Sequence, residues 1–234
     1  MSDRLPWAVV PLKSAQHANS RLSSVLTSTE RQCLFEAMLL DVLSALGDTT
    51  QLGGILAVTD CPVARRHFRR VGARLLNDPD EAGLNAAVSQ AAYALEQQGV
   101  ESFLTVPGDT PAVTAVEIDR VASSINESRG LVLVPARDGR GTNCLAMSLP
   151  LMVPPLFGLD SVEAHITAAR RQNIKAQLLS LPGFGFDVDT PDDLLRVNEF
   201  SQASKTNMYL EGIRLDRRRI GLETGIRSEF AVMR

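Results

Sequence analysis

Short apolar runs alternate along the chain with stretches whose apolar residues recur every three to four positions, and this alternation predicts the fold class. The first run, Trp7-Ala8-Val9-Val10, stops at Pro11 and reads as a buried strand. A polar loop follows, from Lys13 to Ser24. Thr27-Ser28-Thr29-Glu30 has the form of a capping box, Thr27 as N-cap and Glu30 reaching back. Behind it Leu34, Met38, Val42, Leu46 and Phe35, Leu39, Leu43 make one broad apolar helical face, with Gly47 as the stop. Further strands are expected at Ile55–Val58, Leu75–Leu76, Phe103–Val106 and Leu131–Val134. Between them lie helices from Pro62 to near Gly72, from about Leu84 to Gln97 and from about Val113 to Asn126.

Beyond Pro135 the alternation loosens. Cys144–Leu149 reads as a strand, and a Pro-rich stretch from Pro150 to Phe157 precedes a helix over Ser161–Arg171. A strand over Ala176–Leu181 leads to Phe186–Asp189, and Thr190-Pro191 opens a short helix. Repeated β-α-β units with near-continuous apolar strands imply a single α/β domain: a mainly parallel, doubly wound sheet with a mixed edge, flanked by helices. Residues 1–200 form that domain. The pattern weakens after Ser201, so 201–234 reads as a C-terminal tail, solvated, disordered or partner-docking, with a basic run from Arg214 to Arg219.

Composition narrows the function classes. The 234 residues suffice for one sizeable core, and 44% hydrophobic with 22% charged is ordinary soluble composition. A formal net charge of −3 argues against nucleic acid as partner. Anionic substrates would need a local cation. Cys33, Cys61 and Cys144 have neither zinc-site nor disulfide-framework spacing and read as reduced cytosolic thiols. The N-terminus lacks a secretory apolar region, and no apolar stretch approaches the roughly 20 residues of a membrane span. The expected location is cytoplasmic, without membrane contact.

Five constellations carry candidate chemistry. In an open α/β sheet, ligands sit beyond the carboxyl ends of the strands. Pro11-Leu12-Lys13 with Ser20-Arg21-Leu22 follows the first strand, where Lys13 and Arg21 can meet phosphate oxygens. Asp78-Pro79 and Gly83-Leu84-Asn85 combine a glycine that permits close approach with an amide able to read a base edge. In Val106-Pro107-Gly108-Asp109-Thr110-Pro111 a carboxylate follows a buried strand, a position suited to a hard cation. Arg137-Asp138-Gly139-Arg140-Gly141-Thr142-Asn143 can form a backbone nest for an anion, or a plain tight turn. In Phe186-Asp187-Val188-Asp189, an extended backbone puts the two acids on one face, where they repel unless a cation or proton intervenes. Asp192 and Asp193 fit the first turn of the next helix, Ser161 reads as a helix start, and His165 alone reads as structural.

Taken in order, these motifs resemble the guanylyltransferases of coenzyme F-420 biosynthesis, the CofC/FbiD family. The likeness runs from about Trp7 to Val197 and includes Phe157-Gly158 with Ser161 and His165. It implies a GT-A-like (Rossmann-like) nucleotidyltransferase fold and an enzyme that joins GMP from GTP to 2-phospho-L-lactate, phosphoenolpyruvate or 3-phospho-D-glycerate, releasing pyrophosphate. It also implies Mg²⁺, two ions, held by Asp109, Asp187 and Asp189. Lys13 joins these acids in the catalytic set. Pro11, Leu12, Lys13, Arg21, Gly83 and Asn85 line the nucleotide side, and Thr142, Gly158 and Ser161 contact the phosphoacid. Asn19 stands where the family usually has lysine. A second copy or a downstream pathway enzyme is the candidate protein partner.

The chemistry agrees with this reading. Each phosphate group brings roughly −1.5 to −2 charges, so the two reactants repel. Metal-bearing carboxylates would cancel that charge, and an already ionised acceptor needs no protein nucleophile. Two alternatives remain at this level. One is another nucleotidyltransferase of this architecture, with a sugar phosphate or molybdopterin acceptor. The other is a non-catalytic nucleotide-binding protein.

Overall fold

All seven apolar runs expected to be strands enter one sheet in a computed structural model of the chain, which describes residues 5–12, 20–78, 83–128, 130–200 and 204–213. The strands are β1 (Trp7–Pro11), β2 (Gly54–Val58), β3 (Arg74–Leu76), β4 (Ser102–Thr105), β5 (Leu131–Pro135), β6 (Thr142–Ser148) and β7 (Ala176–Leu178). Their spatial order is β3-β2-β1-β4-β6-β5-β7. Among these strands only β6 opposes its neighbours, pairing antiparallel with β4 and β5. The helices are α1 (Ser28–Gly47), α2 (Pro62–Arg70), α3 (Gly83–Glu96), α4 (Ala115–Ser128), α5 (Ser161–Arg171), α6 (Pro191–Arg196) and α7 (Lys205–Gly212). None of the described helices is long and apolar enough to cross a membrane.

Strand alternation sorts the core into two layers. Ala8 and Val10 face one side of the sheet, with Phe35 and Leu39 of α1, Phe68 of α2 and Ile118 of α4. Val9 faces the other, with Val88 and Leu95 of α3 and Ala169 of α5. Local signals act as expected at the helix starts. Thr27 and Glu30 form the capping box of α1, and Pro62 opens α2. Gly47 does not break α1 with a left-handed turn; the helix runs through it, and the Asp48 amide donates to the Ser44 carbonyl.

Two expectations need correction. The broad apolar face of α1 is two faces. Phe35, Leu39, Val42 and Leu46 meet the sheet, whereas Leu34 and Met38 enter a third core with Leu22, Phe186, Val188 and Leu210. The second correction follows from the first: the chain beyond Ser201 is not all tail. Helix α7 lies on α1, its Thr206, Asn207 and Leu210 buried. Eight residues with few apolar positions give no periodic signal, so the helix is held by specific bonds. The Asp41 carboxylate of α1 accepts from the Lys205 amide (2.7 Å), the Thr206 amide (2.9 Å) and the Thr206 hydroxyl (2.6 Å). The Tyr209 hydroxyl donates to the Glu30 carbonyl at 2.9 Å. The basic run Arg214–Arg219 lies outside the described residues.

Helix α7 thus depends on a cap supplied from another helix. Asp41→Ala is expected to lower the unfolding free energy by about 1–2 kcal/mol, measured by urea denaturation. An unchanged midpoint would mean that α7 is not docked in solution.

Candidate active site

The strand order reverses at β1, whose neighbours are β2 and β4, and the carboxyl ends of β1 and β4 open a crevice there. Because β6 runs the other way, its first residues start at the same edge. Between β5 and β6 the register shifts by one residue, from the pair Val134 and Cys144 to the pair Pro135 and Thr142. This bulge aims Asn143 toward the loop before Asp187 and Thr142 toward α5.

Asp109 and the Asp187–Asp189 segment are fastened together through their backbones. The Val188 amide donates to the Asp109 carbonyl at 3.0 Å. The Asn143 side-chain amide donates to the Phe184 carbonyl (3.1 Å) and to Asp187 Oδ1 (3.2 Å). The Gly183 amide donates to Glu117 Oε1 at 2.8 Å. At Gly183 a Cβ would collide with the Ala112 carbonyl, so only glycine lets the two segments approach this closely. Phe186 and Val188 are fully buried, and the segment, although in no strand, alternates as an extended chain would. Asp187 and Asp189 therefore turn away from the core, as their spacing predicted.

Charge accumulates at this point. Burial, then Asp187, then Asp189 push the Asp109 carboxyl from 3.8 up to about 7. Asp189 is raised by burial and by Asp187, with Arg21 opposing. Arg21, expected on the nucleotide, here donates to Asp189 Oδ2 at 2.7 Å; the Arg21 side chain is largely exposed and that of Asp189 partly so. Such an exposed pair is weakly held and readily exchanged for a better partner. Among the described residues, no three His, Cys, Asp or Glu side chains converge tightly enough to ligate an ion as they stand. The donor set nonetheless suits a hard divalent cation: carboxylate oxygens that destabilise one another's charge.

Asp193 belongs to the scaffold. Beyond favouring the dipole of α6, it is buried, accepts from the Thr190 hydroxyl (2.7 Å) and amide (2.8 Å), and takes Arg137 Nη2 at 2.6 Å. Burial works to raise its pKa, but these bonds outweigh burial and lower it.

Of the residues expected to take the phosphoacid, Thr142 at the start of β6 and Ser161 at the start of α5 meet side chain to side chain, and Gly158 lies in the segment that leads into α5. The Ser161 hydroxyl donates to Thr142 Oγ1 at 3.0 Å, and both side chains are buried. Ser161 is not the cap of α5; that position is Asp160, in the left-handed region and bound on both oxygens by Arg140, at 2.6 and 3.1 Å. Gly158 has a φ of 141°, accessible without strain only to glycine. The loop expected as an anion nest is instead a closed turn, and one amide at the start of α5 is also taken. The nest at residues 138–141 is filled by its own carboxylate: Asp138 Oδ1 accepts from the Arg140 amide (2.8 Å) and the Gly141 amide (3.0 Å). At the start of α5, the Val162 amide donates to the Arg140 carbonyl at 3.1 Å. What this region presents is the neutral hydroxyl pair of Thr142 and Ser161.

On the side expected to take the nucleotide, Pro11, Leu12, Asp78, Gly83, Leu84 and Ala87 line a narrow cleft. Lys13 and Asn19 lie outside the described residues. Asn85 is not poised to read a base. Its Nδ2 donates to the Phe157 carbonyl (3.1 Å) and its Oδ1 accepts from the Phe157 amide (2.7 Å), the two-point match of an amide to a peptide unit. It therefore holds the Phe157–Gly158 segment of the hydroxyl pocket. A cavity of about 510 Å³ between Leu5, Ser102, Ile125 and Ser148 lies at the opposite sheet edge and touches none of these residues.

Sequence reasoning missed Asn143, the Arg137–Asp193 pair and the Glu117–Gly183 bond. Asn143 lay inside a motif already singled out. The bulge that sets its direction, and the long-range pairs, leave no periodic signal.

A seven-stranded, mostly parallel α/β sheet flanked by helices, with acids gathered at the carboxyl edge of its switch point, is the fold of nucleotidyltransferases. Solved structures named as nucleotide-diphospho-sugar transferase and cytidylyltransferase share this fold. For a candidate nucleotide-diphospho-sugar transferase from Desulfovibrio desulfuricans G20 the TM-score is 0.75, with 16% identity over 92% of this chain and 97% of that one. The sequence is more specific. Residues 7–234 match the family described as guanylyl transferase, CofC like, and the chain belongs to that family. The match extends beyond Val197, where the motif resemblance ended. A phosphoenolpyruvate guanylyltransferase of Conexibacter woesei is 34% identical over 82% of this chain and 87% of its own. A 3-phospho-D-glycerate guanylyltransferase of Phenylobacterium zucineum is 31% identical over 81% and 88%.

Two outcomes follow from the site. A carboxyl whose pKa is raised by folding stabilises the fold below its unfolded value and loses that contribution as pH rises through the folded value. In chelator-treated protein, stability attributable to Asp109 should therefore fall between 3.8 and about 7. Asp109→Asn removes that slope and melts several degrees higher than wild type at about pH 8; identical pH profiles would contradict the buried charge. Asn85→Ala should loosen the Phe157–Gly158 segment, raising KM for the phosphoacid severalfold while the ratio of kcat/KM for GTP over ATP stays fixed. A collapse of that ratio would return Asn85 to the base.

Proposed function

We propose that this protein transfers a guanylyl group from GTP to a small phosphorylated acid and releases pyrophosphate, in coenzyme F-420 biosynthesis in the cytoplasm. The observation that carries the reading is the clustering of Asp109, Asp187 and Asp189 at the carboxyl edge of the sheet. The names of the relatives support phosphoenolpyruvate or 3-phospho-D-glycerate as acceptor, with 2-phospho-L-lactate the third candidate.

An acceptor phosphate oxygen attacks the α-phosphorus of GTP, and the bond from that phosphorus to the bridging oxygen of the β-phosphate breaks. A phosphoanhydride forms and pyrophosphate departs with the bonding pair. Mg²⁺ held by Asp109, Asp187 and Asp189 would supply charge neutralisation between the phosphates. The chain's own residues position the reactants. Thr142 and Ser161 offer hydroxyls to the acid, and Gly158 leaves room for it. Arg21, weakly paired, is free to move from Asp189 to a phosphate when nucleotide arrives. No side-chain nucleophile is required, because the attacking phosphate is already ionised.

The test is a reaction of purified protein with Mg²⁺, GTP and each of the three acids, read by product mass. At least one GMP–acid adduct with pyrophosphate is expected; bound GTP with no adduct from any acid would overturn the reading. Asp187→Asn or Asp189→Asn should cut turnover more than about a hundredfold in folded protein, beyond the 10–100-fold typical of residues that only support a ligand. Near-normal activity in either would remove that residue from the metal set.

A further inference from the structure

His165 does more than fill space behind the hydroxyl pocket. It is fully buried on α5, edge-on to Phe157 with ring centroids 5.5 Å apart. The Leu156 amide donates to its Nε2 at 2.9 Å. A backbone N–H can only donate, so Nε2 must be bare, and a neutral ring then carries its proton on Nδ1. Burial disfavours the imidazolium, and the Ser161 carbonyl, one helical turn back, favours the same proton position. Nδ1 lies 3.3 Å from Thr142 Oγ1.

The protons of this cluster can be counted. Thr142 and Ser161 have one hydroxyl proton each, and their mutual bond uses one of them. With Nδ1 protonated, the ring cannot take the other, so one O–H is left to point into the pocket. With the opposite tautomer, Nδ1 would accept the Thr142 proton while Ser161 donated to Thr142. The pair would then show a ligand only lone pairs, which repel an anion. The direction of the whole chain is therefore set by one backbone amide, acting through the imidazole.

We propose that His165 is a positioning residue, held in its Nδ1–H form by Leu156, that keeps the Thr142–Ser161 pair a hydrogen-bond donor to an anionic oxygen of the phosphoacid. This rests on the proposed placement of that acid at Thr142 and Ser161. The segment that locks the ring, Leu156-Phe157, is also the one that Asn85 grips from the nucleotide side. The donor state of the pocket is thus tied to the wall of the neighbouring cleft.

The first test needs no variant. Ring ¹⁵N NMR of histidine-labelled protein should show His165 with a protonated Nδ1 and a bare Nε2 near neutral pH; a protonated Nε2 overturns the proposal. The second test uses kinetics with the phosphoacid that supports turnover. His165→Asn keeps a donor near the Nδ1 position, whereas His165→Gln keeps an acceptor for the Leu156 amide but loses that donor. His165→Gln should lower kcat/KM for the acid about ten- to a hundredfold with KM for GTP unchanged, and His165→Asn should lower it less. The reverse order would mean that His165 only anchors Leu156, and would also overturn the proposal. Thr142→Val separates the two layers of the argument. If it leaves acid kinetics unchanged, the acceptor placement fails. If it raises KM for the acid while His165→Gln does not, the histidine's role alone fails.

Discussion

Like charges held close together are the constraint on which this structure turns. Asp109 and the acids at 187 and 189 come from loops far apart in sequence, and the charged forms of Asp109 and Asp189 are disfavoured where they sit. Their approach is enforced mainly by the surrounding scaffold: the Val188 amide on the Asp109 carbonyl, the Asn143 amide on the Phe184 carbonyl and on Asp187, the Gly183 amide on Glu117, and a contact at Gly183 too close for any side chain. Phe186 and Val188 lock the same segment into the third core, with α1, α6 and α7 behind it. Helix α7 therefore bears on the acidic centre, because it covers the core from which Asp187 and Asp189 project. The proposed cation would relieve the repulsion that the scaffold maintains.

The second pocket follows an opposite logic. Arg137, Asp138 and Arg140 precede Thr142 in the same loop, but each is already committed, to Asp193, to the loop's own amides and to Asp160. What remains is a neutral set of hydroxyls whose direction is fixed by an uncharged imidazole. A weakly polar pocket beside a strongly charged centre suits a small acid whose main charge is met elsewhere. Asn85 connects the two regions, since one side chain on the cleft helix fixes the backbone that shapes the hydroxyl pocket.

Most of the architecture was legible in the sequence. Proline and glycine punctuation with continuous apolar runs placed all seven strands, and the Thr27–Glu30 box and Pro62 placed two helix starts. The acidic centre was legible too, because alternation alone puts Asp187 and Asp189 on one side of an extended segment. Illegible were features that depend on long-range partners. Nothing local shows that Asn85 will meet the Phe157 peptide, that Asp138 will fill its own nest, or that Asp41 will cap a helix more than 160 residues later. The two-sided burial of α1 was hidden because both faces are apolar and merge into one stripe on a helical projection. His165 read as structural for a similar reason: a lone histidine acquires a direction only when its two nitrogens find their neighbours.

The central claim is that Asp109, Asp187 and Asp189 together hold divalent metal against the phosphates. Its most direct test is diffraction from crystals grown with Mn²⁺ and a non-hydrolysable GTP analogue, recorded at the manganese absorption edge. Anomalous peaks should lie about 2.0–2.6 Å, the range for hard cations on carboxylate oxygens, from oxygens of all three aspartates and of the nucleotide phosphates. Nucleotide bound in the cleft with manganese elsewhere, or held by none of the three, would contradict the account.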